Sequence, residues 1–168
     1  MIYINLKIII MRRPWNISNS PIYSLVTFDK NILNMNICSY VSVVNMSPKI
    51  YAISLDYNTK TYKNIINKTS HIVLQLLSKE NISIVRKLGK TSGNNINKYQ
   101  YLKKKQQLTR WKNIDVLKNT AAFVLLSYKD IIFDLPDHAI FIFDVLGYKS
   151  NREDVLTFNQ LIDKKIIL

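Results

Sequence analysis

Short runs of β-branched and aromatic residues, each closed off by turn formers, recur along this chain, and the first three follow one another with no helical stretch between them. Residues 22–28 (IYSLVTF) sit between Pro21 and the turn residues Asp29, Lys30 and Asn31, and predict a strand running into a turn. Residues 37–45 (ICSYVSVVN) put Ser39, Val41 and Val43 on one parity and Cys38, Tyr40, Ser42 and Val44 on the other, the pattern of a half-buried strand. Residues 50–55 (IYAISL) follow Pro48 closely, which suits a short antiparallel connection, so the first part of the chain reads as a β-meander. Further strands are expected at 71–77 (HIVLQLL), 121–128 and 138–146 (HAIFIFDVL).

Helical spacing sets in at 58–66, where Asn58 or Thr59 can cap the N-terminus by accepting from free backbone N–H groups. Ser78 is expected to cap a helix that turns Ile82, Ile84, Val85 and Leu88 inward, with Gly89 as its left-handed stop. Residues 90–97 read as a polar loop, 99–119 as irregular helix and 153–165 as a closing helix. Consecutive strands with a few helices predict a mainly β domain, a closed antiparallel barrel carrying helices on its periphery rather than a βαβ sheet. The chain holds only three glycines, and neither G-x-G-x-x-G nor G-x-x-x-x-G-K-[ST] occurs, so the glycine-rich phosphate devices are out.

At 168 residues the chain can bury one core without metals or cross-links, and its single cysteine excludes a disulfide scaffold. Residues 11–168 are expected to form one domain, with 1–10 an N-terminal extension and Met11 an alternative start. The positive residues of that extension follow its apolar stretch, the reverse of a secretory signal, and no apolar run approaches the roughly 18 residues of a membrane span. A cytoplasmic protein without a membrane partner is therefore expected. The net charge of +13 suggests an anionic partner. Lys, Asn and Ile together exceed a third of the residues, however, and the lysines are scattered. No nucleic-acid-binding motif accompanies them, so nucleic acid is not the expected partner, though the field favours phosphate-bearing ligands.

Nucleophilic and metal chemistry find little support. Cys38 lies in an apolar run, His71 and His138 are the only histidines, and no metal-ligand spacing is present. Three segments suit a planar, phosphorylated cofactor better. Residues 34–40 lead through a turn into small side chains, including Asn34, Asn36, Cys38 and Ser39, that let a flat ring approach the backbone. Asn58, Thr59, Lys60 and Thr61 place hydroxyls and a cation at a helix start. Lys90, Thr91, Ser92 and Lys98 gather more of both in a loop. Each alone is a weak signal, and a capped helix or a polar loop is the commoner explanation of such segments.

Taken in order, five segments match the pattern of one family. Residues 21–29 resemble its "P-V-x-L-V-T-T-x-D" opening, 34–48 its "N-x-x-x-x-S … V-S-x-x-P" segment, and 54–65 its "S-x-x-x-x-T-x-T-x-x-N-I" element. Residues 88–93 with Lys98 resemble "x-G-x-x-S-G … D-K", and Asp137, His138 and Phe141 resemble "G-D-H-x-x-F-x-G-x-V". From about Pro14 to the C-terminus the chain resembles the flavin reductase-like family, the FMN-binding split β-barrels. The resemblance implies an antiparallel split barrel of Greek-key type, a homodimer, and FMN reduced by NADH or NADPH, with small-molecule donor and acceptor. By position, Asn34, Asn36, Cys38 and Ser39 would line the flavin ring and ribityl chain. Thr59, Lys60 and Thr61 would meet the phosphate, with Lys90 and Ser92 as second candidates, and His138 would face the flavin or nicotinamide. Pro136 before Asp137, Phe143 in place of a later glycine, and residues 31–33 in place of a turn glycine depart from the pattern. An FMN- or haem-binding barrel without reductase turnover and a basic nucleic-acid-binding barrel are the alternatives.

Overall fold

The computed structural model describes residues 14–30, 32–67, 69, 71–133 and 135–167, so the expected extension at 1–10 lies outside the described residues. In chain order the elements are α1 (Pro14–Ile17), β1 (Tyr23–Asp29), β2 (Ile32–Met35), β3 (Val41–Asn45), β4 (Ile50–Asp56), α2 (Lys60–Ile66) and β5 (His71–Leu76). After a 3₁₀ turn (Lys79–Asn81) come α3 (Ile82–Lys90), α4 (Lys98–Lys104), β6 (Leu108–Trp111), β7 (Ile114–Leu117), β8 (Ala122–Ile132), β9 (His138–Ser150) and α5 (Phe158–Asp163). None of the described helices is long and apolar enough to cross a membrane.

Seven strands form one antiparallel sheet in the order β2-β1-β5-β8-β9-β4-β3, and β6 and β7 form a separate hairpin. The mainly antiparallel β architecture is as expected, but the sheet is split rather than closed. Its two end strands, β2 and β3, are consecutive in sequence, and the segment 36–40 between them crosses from one edge to the other. That crossing also overturns the meander: β2 pairs with β1 at one edge and β3 with β4 at the opposite edge. The cause is local. The Asn36 side-chain carbonyl accepts from the Leu25 N–H at 2.9 Å, and Cys38 exchanges two backbone hydrogen bonds with Tyr23. Pairing with β4 therefore starts only at Val41, and 37–45 is not one strand. Residues Ser42 to Asn45 are all exposed, because an edge strand with uncovered faces cannot express its alternation as burial.

Alternation works on β1 and β5, which are buried on both faces. Leu25, Ile72 and Leu74 join Ile53, Leu126, Phe141 and Phe143 in one core, while Val26 and Val73 join Met35, Leu88, Leu102 and Leu161 in the other. Burying each such side chain is worth roughly 1.5–3 kcal/mol. Ser78 caps as expected, its hydroxyl accepting from Glu80 N–H at the 3₁₀ turn that opens into α3.

Three sequence expectations need correction. Gly89 does not stop α3: the helix runs to Lys90, Thr91 follows in extended conformation, and no glycine has positive φ. Residues 108–117 form a hairpin, not irregular helix. The closing helix is only α5, because Leu156 first pairs its backbone with Ile22 and Leu77 at 2.9 Å each, which holds the chain extended before Thr157.

Candidate functional site

A cleft of about 320 Å³ opens where β2, the start of α2, the end of α3 and the loop 91–97 meet. It brings together seven of the sequence candidates, Asn34, Asn36, Thr59, Lys60, Thr61, Lys90 and Ser92. Cys38 and Ser39 line a more apolar cavity of about 250 Å³ with Val85, Phe158 and Leu161. The two cavities share Ile37, Gly89 and Lys90 along their boundary. His138 lines neither. It begins β9 opposite Asp56, with Nδ1 2.7 Å from the Asp137 carboxylate and its ring 5.8 Å from that of Tyr40.

The cleft's shape comes from hydrogen bonds that fix its walls. Thr59 caps α2 by accepting from Tyr62 N–H and donates its hydroxyl to Asp56 O. Asn64 then ties α2 to β1 by donating to the Thr27 hydroxyl at 3.1 Å. This clamp sets Lys60 against the Asp29 carboxylate, and the ion pair holds the Asp29 carboxyl below its usual range. Thr61 is buried, and its hydroxyl accepts from Asn34 Nδ2 at 3.2 Å. Thr59, Lys60 and Thr61 thus line the cleft with their side-chain polar groups already engaged inside the protein.

Two residues outside the predicted contacts, Lys98 and Gly93, are central here. Lys98 is 5% exposed, and its ammonium donates to Leu88 O in the last turn of α3 at 2.6 Å, where the helix dipole favours a cation. Burial pushes its pKa down to about 8, and it pairs with no carboxylate among the described residues. Gly93 faces Asn34: a Cβ there would stand 2.3 Å from Asn34 Oδ1 and 3.1 Å from Lys60 Cβ. Neither the burial of Lys98 nor this close approach is written in local sequence. The loop segment with Lys98 and the K at the end of "S-G … D-K" marked the lysine, and neither marked its burial.

Chemically, the cleft offers amides, hydroxyls and two cations, Lys90 and Lys98, without acidic partners among the described residues. The adjoining cavity is lined mostly by apolar side chains. Burial raises the Cys38 thiol to about 12, so it stays protonated at neutral pH and is no nucleophile. Among the described residues no group of three His, Cys, Asp or Glu side chains gathers.

No curated protein matches the chain in sequence. In structure it is similar to flavoredoxin from Methanosarcina acetivorans, with a TM-score of 0.69 at 15% identity over 90% of this chain and 75% of that one. It is also similar to an FMN-binding protein from Thermus thermophilus with bound p-hydroxybenzaldehyde, at 0.70 and 13% over 80% and 73%. The flavin reductase of styrene monooxygenase from Pseudomonas putida S12 gives 0.68 and 12% over 84% and 86%. At these identities the likeness concerns the fold. The sequence model of the flavin reductase like domain matches residues 16–161, nearly the whole described chain, and the protein accordingly belongs to that family.

Proposed function

We propose that the protein binds FMN across the two cavities and reduces it with NADH or NADPH. The observation that carries the binding half is Lys98, a buried ammonium with no carboxylate partner, in a cleft that also holds Lys90 and Ser92. A phosphate would supply the missing counter-charge, since a buried unpaired cation is stabilised by an anion far more than an exposed one is. Asn34 and Asn36 line this cleft, and across its boundary at Ile37 the apolar cavity, lined by Cys38 and Ser39, would take the ring. Bound FMN would supply the hydride-accepting chemistry, so the chain needs no acid or base of its own. Its task is to hold the ring and exclude water from it.

The experiment uses riboflavin as the control that lacks a phosphate. Lys98 loses its proton above about pH 8. FMN affinity is therefore expected to fall as pH rises from 7 towards 9.5, by at most about tenfold per unit, while riboflavin affinity changes far less. Parallel pH profiles for the two flavins, read by quenching of flavin fluorescence, would reject the assignment of the phosphate to Lys98.

His138 is assigned to the nicotinamide side, outside the cleft and beside Tyr40. His138→Ala is expected to slow flavin bleaching by NADH or NADPH about tenfold, the worth of one well-placed hydrogen bond, with FMN affinity intact. A wild-type rate with a lowered melting temperature would assign the residue to the fold instead. Absence of bleaching by either nucleotide in the wild-type protein would favour a flavin-binding barrel without turnover.

The proposed molecule is a homodimer. The edge strand β3 leaves Val43 and Val44 exposed, and Tyr40 and Met46 beside it are exposed too, an apolar unpaired edge that a second copy would cover. Sedimentation at micromolar concentration reads the mass, and a single-chain mass would count against this.

A further inference from the structure

A cavity of about 470 Å³, larger than either part of the flavin cleft, opens between the β6–β7 hairpin and the β8–β9 pair and shares no lining residue with that cleft. One wall is aromatic. Trp111 of β6 stacks on Phe123 of β8 with ring centroids 5.4 Å apart and planes 23° from parallel. Lys149 of β9 stands directly opposite Phe123 in the ladder, so its side chain leaves the sheet on the same face. Arg110 and Arg152 also line the cavity, and no carboxylate does. Arg152 is already engaged, by Glu80 and by Asp154 Oδ1 2.7 Å from its Nε. Lys149 has no ion-pair partner among the described residues, and Arg110 makes one bond, to Asn113 O at 3.3 Å. Thr120 also lines the cavity.

We propose that this cavity is a second binding site, for a small planar aromatic anion with one flat ring and one carboxylate or phosphate. The ring seats against the Trp111–Phe123 pair, and the anionic group meets Lys149 and Arg110. The volume suits a ligand no larger than a mononucleotide. An excess of cations without acids selects the charge, and stacked aromatic rings select the flat shape. The proposal does not rest on the flavin reading, because the two sites have no residue in common.

The test titrates benzoate and, separately, AMP into the protein carrying Trp15→Phe, so that Trp111 is the sole indole. A saturable change in its emission is expected with at least one probe, and the probe that binds tells an aryl carboxylate from a nucleotide phosphate. Benzyl alcohol or adenosine, the uncharged counterparts, should bind at least about tenfold more weakly. Arg110→Gln with Lys149→Gln should weaken the anion about tenfold or more at an unchanged flavin affinity. Lys98→Met, which alters only the flavin cleft, should leave this binding as it is. No saturable change with either anion up to about 10 mM, or equal binding by the Arg110/Lys149 double variant, would overturn the proposal.

Discussion

Replacing Lys98 by methionine is expected to weaken FMN binding about 10- to 100-fold, with riboflavin binding nearly unchanged. The size follows from a charge-assisted hydrogen bond to a phosphate, worth roughly 1.5–3 kcal/mol. Methionine keeps the length and apolar stem of the side chain, so the packing between α3 and α4 survives. What the protein loses is the bond to Leu88 O, and what it gains is relief from burying a charge. The two partly cancel, and the melting temperature at pH 7 should move little. Stability against pH gives an independent readout. Between about 8 and 10.5 the unfolded chain holds the Lys98 proton and the folded chain does not, so this residue makes the unliganded wild type more stable as pH rises through that window. Lys98→Met should abolish that rise. Unchanged FMN affinity in the variant would remove the phosphate from this end of the cleft.

The second large effect is expected at Gly93. Its φ is not positive, so the need for glycine is one of space rather than of backbone conformation. Alanine would put a carbon 2.3 Å from Asn34 Oδ1 and 3.1 Å from Lys60 Cβ. The Asn34 amide is nearly buried and cannot turn aside without giving up its bond to Thr61. Gly93→Ala should therefore destabilise the protein by about 1–3 kcal/mol, as overpacking does, and reduce FMN affinity at least tenfold by displacing the cleft wall. Asn34→Ala in the same chain makes room for the new methyl. In a double-mutant cycle the pair should cost less stability than the sum of the singles. Strict additivity in urea unfolding would show that the clash is not the cause.

What could be read from the residues was what short-range pattern determines. The runs at 22–28, 50–55 and 71–77 became β1, β4 and β5, because apolar β-branched runs bounded by turn formers leave few other choices. The hairpin at 108–117 was invisible for a definite reason. Its turn is made by Lys112 and Asn113, both in the left-handed region at φ 48° and 62°, where glycine usually gives the signal. The same substitution hides the end of α4: Gln106 takes the left-handed position at φ 53°, and Gln107 N–H closes back on Leu102 O. A glycine-poor chain makes its left-handed turns from Lys, Asn and Gln, and the usual punctuation is missing. Gly89 misled in the opposite direction, as a glycine inside a helix. For the site, the structure brings Asn34, Asn36, Lys60, Lys90 and Ser92, residues the family pattern had singled out, to one cleft. The pattern could not foresee that Asp29 would engage Lys60, or that Lys98 would be buried without a carboxylate, since both depend on contacts distant in sequence.

The crossing at 36–40 carries a thermodynamic consequence. An unbroken ladder shares any local opening among many rungs, whereas this stretch is held by one side-chain amide, one pair of backbone bonds to Tyr23 and the bond from Ser54 N–H to Tyr40 O at 3.0 Å. With so few bonds, local opening is expected to be easier here than along the paired strands. Asn36, Ile37, Cys38 and Ser39, which lie in this stretch, are also lining residues of the two cavities. A molecule bound there would act as a further rung and add its binding free energy to this seam.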